Sequence, residues 1–289
     1  VATVTGSVVV DGQTYPASTT VTVTTPPTAL KRIGMSSPAD QWDQRLAEVG
    51  PNGITSYHIY ADVSSSGISQ MSRIDEAISL GMTPVITFKF GSGSVSTAGS
   101  GGYNAWVTTA MNQLQAKGVP MLVACWHEPF DDMTGPQWLA IQRQVLPLIN
   151  AKSNLESYCI LHGWLTDNRI ADWDSFMAPD VFALLDYMGL DSYQSGTPAA
   201  PGTKDLSTRM PTILDWLEDQ GDRNKPLVIG EYNAYTVASL NAVQSTILNT
   251  PNVKHALAFN SATGGKGVVF TGAILSAFKA FKARPEVEQ

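Results

Sequence analysis

Residues 107–126 read VTTAMNQLQAKGVPMLVACW, and the two halves of this stretch obey different periods. Val107, Ala110, Met111 and Leu114 recur every three or four residues, as one buried face of an α-helix requires. Met121 to Trp126 is an unbroken apolar run of strand length. Between them stands Gly118, just past the helical pattern, where a residue without Cβ accepts the left-handed conformation that ends a helix.

The unit recurs on both sides. Strands are predicted at Arg32–Ser36, Ile54–Ala61, Pro84–Phe90, Met121–Trp126, Tyr158–Gly163, Asp186–Leu190, Leu227–Gly230 and Lys254–Phe259. Helical faces lie between them, among them Trp42, Leu46 and Val49; Met71, Ile74 and Ile78; and Leu240, Val243 and Ile247. Gly50, Gly81 and Gly221 hold the same stop position as Gly118, and only the segment around Asp174 to Asp180 is poorly helical. Strand then helix, eight times over residues 28–289, predicts an α/β chain folded as one (β/α)8 TIM barrel. An open doubly wound sheet is the alternative. It lacks support, because no G-x-G-x-x-G occurs and Gly264-Gly265-Lys266-Gly267 has no hydroxyl residue after the lysine.

Residues 1–27 differ in texture: Val/Thr alternation broken at Asp11-Gly12 reads as a β-hairpin, followed by a Pro26-Pro27 linker. A lone hairpin is marginal, so it is expected to be the remnant of an immunoglobulin-like or similar β-module. The chain opens on Val1 with no basic-then-apolar leader, and is expected to be a soluble, monomeric catalytic module of a larger modular protein. A composition of 43% hydrophobic and 15% charged residues, with mean hydropathy −0.03, excludes disorder and collagen. Lys plus Arg is 18 against 25 for Asp plus Glu, a net charge of −7 with no basic run, so neither nucleic acid nor membrane insertion is expected. Cys125 and Cys159 are too few for a disulfide framework and are not spaced as a metal pair.

In such a barrel the functional groups stand where strands end. Of eight Glu residues only Glu128, after MLVACWH, and Glu231, after LVIG, directly follow strand runs, the fourth and the seventh. A carboxyl leaving an apolar strand is partly desolvated, which disfavours its charged form and suits it to proton donation. Two such groups across one mouth are what glycoside hydrolysis needs.

These residues carry a resemblance. WHEP at Trp126–Pro129 and IGEYN at Ile229–Asn233 resemble the large clan of retaining glycoside hydrolases built on (β/α)8 barrels, and within it the chain looks most like family 26, the β-mannanase family. APDVFALLDYMGLDSY at Ala178–Tyr193 is similar to that family's sixth-strand motif. The resemblance implies Glu128 as acid/base, Glu231 as nucleophile, His127 as a substrate or carboxylate contact, and Tyr193 as the partner that steadies the nucleophile. The chain departs from family 26 in PFDDM at Pro129–Met133 and in ending its last strand on Phe259-Asn260-Ser261. The mechanism is therefore better supported than a mannan substrate.

Other residues have the right height for sugar contacts: His58 and Tyr60 on the second strand, Lys89 on the third, and Asn260 after the eighth. Trp126, Trp164 and Tyr232 offer aromatic faces for pyranose rings, although a Trp is more often core or helix-to-sheet packing. Asp191, with Asp131, Asp132 and Asp167, is an alternative acid. His58, His127, His162 and Asp191 could share one barrel mouth, but KRIGMSS on the first strand lacks the His-x-His pair of metal-dependent hydrolases, so no metal and no cofactor is expected. No G-x-S-x-G elbow occurs. The expectation is a retaining endo-hydrolase of a β-linked polysaccharide, extracellular, surface-associated or virion-borne. The alternatives are a glycosidase acting on another cell-wall glycan and a non-catalytic glycan-binding barrel of a cell-wall or phage-tail protein.

Overall fold

Short apolar runs too hydrophobic to face water on either side must be covered on both, and parallel strands under helices achieve this. The computed structural model describes residues 2–11, 13–21, 30–91, 93–263 and 265–289. Strands β1 (Arg32–Ser36), β2 (Ser56–Ser64), β3 (Thr83–Lys89) and β4 (Met121–Cys125) pair in parallel in that order. Strands β6 (Met188–Ser192), β7 (Leu227–Tyr232) and β8 (Val253–Phe259) continue from the other side of β1. The fifth strand, β5, is in two pieces: Leu155–Ser157 pairs with β4 and Leu161–His162 with β6. The sheet thus curls back on itself as an α/β barrel. The run expected at Tyr158–Gly163 contains only the second piece; the first lies just before it, and the strand is divided because one piece follows one neighbour and the other piece the other.

Helices α1 (Trp42–Val49), α2 (Met71–Ser79), α3 (Asn104–Gln115), α4 (Gly135–Asn150), α5 (Pro179–Leu184), α6 (Leu206–Asp219), α7 (Val237–Asn249) and α8 (Gly272–Lys282) follow the strands in turn. Gly50, Gly81, Gly118 and Gly221 take φ of 77°, 73°, 70° and 92°, the left-handed stops expected of them. The helix α5 is short, and a separate turn at Ala171–Ser175 precedes it, matching the weak helical pattern there.

Strand alternation divides the core in two. Val85, Leu122, Ala124, Tyr158, Ile160, Val228 and Leu257 fill the barrel interior, whereas residues of opposite parity, such as Ile86, Phe88 and Val123, pack beneath the helices. Several interior polar groups pair with one another: Ser56 with His255 Nδ1 at 3.0 Å, His58 Nε2 with Thr87 at 2.8 Å, and Thr87 with the Tyr158 hydroxyl at 2.9 Å, while both Asp191 carboxyl oxygens are buried without a hydrogen-bond partner. Cys125 and Cys159 are separate buried thiols. The amino-terminal strands Ala2–Val10 and Gln13–Val21 pair antiparallel, while Gly12, Pro26 and Pro27 lie outside the described residues. Among the described residues no helix is long and apolar enough to cross a membrane.

Candidate active site

Glu128 reaches the barrel mouth through a backbone that turns sharply where β4 ends. Trp126 and Glu128 have φ of 63° and 50°, left-handed values that cost a residue bearing a Cβ about 1 kcal/mol or more each. The Trp126 N–H donates to the Phe88 carbonyl at 2.8 Å and the Glu128 N–H to the Ile160 carbonyl at 2.9 Å, so hydrogen bonds to the flanking segments hold the kink. Burial raises the Glu128 carboxyl to about 7; Lys89 opposes the rise and Asp131 and Asp132 add to it. His162 Nε2 stands 3.8 Å from Glu128 Oε1.

Glu231 sits on β7 at an irregularity, where the register with β8 shifts between Ile229 and Tyr232. A bulge of this kind re-aims a side chain. Its Oε1 accepts from Ser36 Oγ at 2.7 Å and its Oε2 from the Tyr193 hydroxyl, while His58 Nδ1 lies 3.9 Å from Oε1. Burial pushes Glu231 up to about 8, against the Ser36 hydrogen bond, which favours the ionised form. Directly beneath, the Asp191 carboxyl packs so close to Gly230 that a Cβ there would meet Asp191 Oδ1 at 2.5 Å. Asp191 is fully buried, and desolvation together with the nearby Glu128 raises its pKa well above the usual carboxylate range.

A cavity of about 440 Å³ opens over these groups, lined by His58, Tyr60, His127, Glu128, Tyr193 and Glu231 among others. The rings of His58 and Tyr60 are 4.4 Å apart and those of Tyr60 and His127 5.3 Å, forming one wall. Burial drives His58 and His127 down to about 3 and His162 to about 4, so all three are neutral imidazoles near pH 7. Neutral imidazole both donates and accepts, which suits sugar hydroxyls.

The remaining expected contacts divide. Lys89 and Trp126 are joined through Asp132, which accepts from Lys89 Nζ at 2.9 Å and from Trp126 Nε1 at 2.7 Å. This cluster braces the Glu128 turn. Trp164 is 40% exposed and lines a second cavity of about 320 Å³ together with Asp191 and Tyr193. Two expectations need correction. Tyr232 is fully buried in the layer beneath the helices, because the residue after an inward-facing Glu231 points outward. Asn260 is also fully buried, its amide oxygen accepting from the Phe270 N–H and its carbonyl from Ser37 Oγ, and it works as a brace below the mouth. Ser36 was not among the expected contacts, although as the last residue of β1, two beyond Gly34, it shares the inward parity. Among the described residues no three His, Cys, Asp or Glu side chains are grouped as metal ligands.

No protein-family model and no curated protein matches the chain. Its fold is similar to that of XacCel5A, solved with cellopentaose: identity is 10% over 87% of this chain and 99% of that one, with a TM-score of 0.63. It is similar also to Cel5A of Thermotoga maritima, solved with mannotriose, at 14% identity over 87% and 98% of the two chains and a TM-score of 0.58. A third similar structure is the mannanase man26 of Bacillus subtilis, at 13% identity over 87% and 85%, with a TM-score of 0.53. At these identities the likeness is one of fold.

Proposed function

We propose that this chain is a retaining endo-glycoside hydrolase acting on a β-linked polysaccharide, with β-mannan the first substrate to try. The observation that carries the reading is one cavity holding two carboxyls with different surroundings, Glu231 buried and Glu128 partly so. Burial favours the proton on both, lifting Glu231 to about 8 and Glu128 to about 7, and their partners differ: Glu231 receives two hydroxyl donors, which favour its anion, whereas two neighbouring aspartates favour the proton on Glu128. The reading assigns the ionised form to Glu231 in the substrate complex, where positive charge develops at the anomeric carbon beside it.

In the first displacement Glu231 attacks the anomeric carbon as the glycosidic C–O bond breaks, and Glu128 gives its proton to the departing oxygen. The product is a glycosyl ester of Glu231 and a free sugar end. Glu128, now a carboxylate, then removes a proton from water while that water attacks the same carbon and releases Glu231. The cycle restores both groups and needs no cofactor. A purely glycan-binding barrel would gain nothing from holding two desolvated acids together, since each ionisation in the folded state is costly. An enzyme working outside the cell, carried on a larger modular protein, fits this chemistry.

The test is reducing-end release from a panel of β-linked glycans, mannan first. Glu128→Gln and Glu231→Gln should each lower turnover by at least about a thousand-fold with circular dichroism unchanged. Near-native turnover in either variant removes that residue from its role.

A further inference from the structure

Tyr193 separates the cavity of Glu231 from the second cavity, and the charge of the second is unbalanced. Four ionisable side chains line it: Asp167, Asp191, Arg209 and Lys266. Arg209 is spent internally, giving two parallel hydrogen bonds to Asp167 at 2.9 and 2.8 Å and two more to Ser192 and the Tyr193 carbonyl. Asp191 is 1% exposed, burial holds its pKa well above the usual carboxylate range, and it makes no ion pair with Lys266. Among the described residues Lys266 Nζ donates to the Gly196 carbonyl alone, at 3.0 Å, and has no carboxylate within 4 Å.

The position of this lysine is fixed. Its main-chain carbonyl accepts from Asn233 Nδ2 at 2.5 Å, and Asn233, fully buried at the end of β7, also accepts from the Gln194 N–H. Its ammonium spans the gap from the loop after β8 to the loop after β6. The same cavity is lined by Trp164, which is 40% exposed although Arg169 lies over its ring at 6.0 Å from the centroid, and an indole so exposed is the kind of apolar surface on which a pyranose stacks. A fixed, uncompensated cation beside an aromatic face, in a chain of net charge −7, is a selective feature.

We propose that this second cavity binds a sugar residue carrying an anionic substituent, with Lys266 pairing the negative group and Trp164 stacking the ring. The proposal rests on the glycosidase reading and narrows it: the substrate is an acidic β-glycan, and the charged residue lies next to the bond that is cut. Carboxylate and sulfate substituents share the chemistry that Lys266 would recognise.

The probes are methyl β-D-glucuronide, methyl β-D-glucoside 6-sulfate and the neutral methyl β-D-glucoside, titrated into the whole chain at low and high salt and followed by protein-observed NMR. At low salt one or both anionic probes should bind about five-fold or more tightly than the neutral one, as a single well-placed ion pair allows. The arm that wins identifies the substituent. Lys266→Met should bring the ratio to about one, whereas Lys204→Met, which changes an exposed lysine of the loop after β6 outside the cavity, should leave the ratio intact. Trp164→Ala should weaken all three probes. Equal binding of charged and neutral probes, no binding of any, or a preference that survives Lys266→Met overturns the proposal. Hydrolysis of neutral glycans with no anionic preference sinks this inference alone. An anionic preference in a chain that cleaves nothing in the panel sinks the hydrolase reading instead.

Discussion

Replacing Glu231 by Gln should stabilise the fold increasingly as pH rises. The wild-type carboxyl is only 4% exposed, and its pKa climbs from 4.5 to about 8. In the unfolded chain the same group ionises near 4.5, so between these limits the unfolded state has lost a proton that the folded state keeps. Stability from this group is therefore complete below pH 4.5 and is lost progressively up to pH 8. Each pH unit of difference is worth about 1.4 kcal/mol, which sets a ceiling of about 5 kcal/mol. In a chain of this size that corresponds to on the order of 10 °C in Tm. Gln does not titrate; its imperfect match to the Ser36 and Tyr193 donors is a constant offset. Differential scanning calorimetry of both proteins at matched ionic strength from pH 4.5 to 8.5 should show the variant gaining on the wild type across the interval. A Tm difference that stays flat, or wild type gaining on the variant, would refute the desolvation argument.

Tyr193→Phe removes a donor that favours the ionised Glu231 carboxyl. Its kcat/KM profile should lose activity at a higher pH on the acid side than wild type, because Glu231 then holds its proton more tightly; an unmoved acid limb counts against the contact. Gly230→Ala would force a Cβ to 2.5 Å from Asp191 Oδ1 and 2.8 Å from Ile160 Cδ1. It should cost about 1–3 kcal/mol in denaturant unfolding and reduce turnover by displacing the neighbouring Glu231; a variant of wild-type stability and activity would show that the interior has slack there.

The barrel was legible because its signals are local. Helix periodicity, left-handed glycine stops and apolar runs are each set within about ten residues, and β1, β3, β4 and β8 fall within a residue or two of their expected bounds. The division of β5 was not legible, since it depends on which neighbour each half pairs with. At the site, the rule of carboxyls directly after apolar strands singles out Glu128 and Glu231, which line one cavity, and simple alternation would have turned Tyr232 away from the mouth. The roles of Lys89 and Trp126 depend on Asp132, a residue of the loop after β4 whose direction no periodicity encodes. Ser36 was within reach of the parity argument once β1 was assigned, but serine at a strand end carries no signal until the carboxylate across the barrel is known.

The central claim is double displacement by Glu128 and Glu231, and stereochemistry tests it most directly. Two successive displacements at the anomeric carbon restore its configuration, whereas a single attack by water inverts it. Proton NMR of the first sugar released from a β-linked substrate, recorded before mutarotation, should show the β-anomer. If the α-anomer appears first, water and not Glu231 attacks the sugar, and the assignment of the nucleophile is wrong.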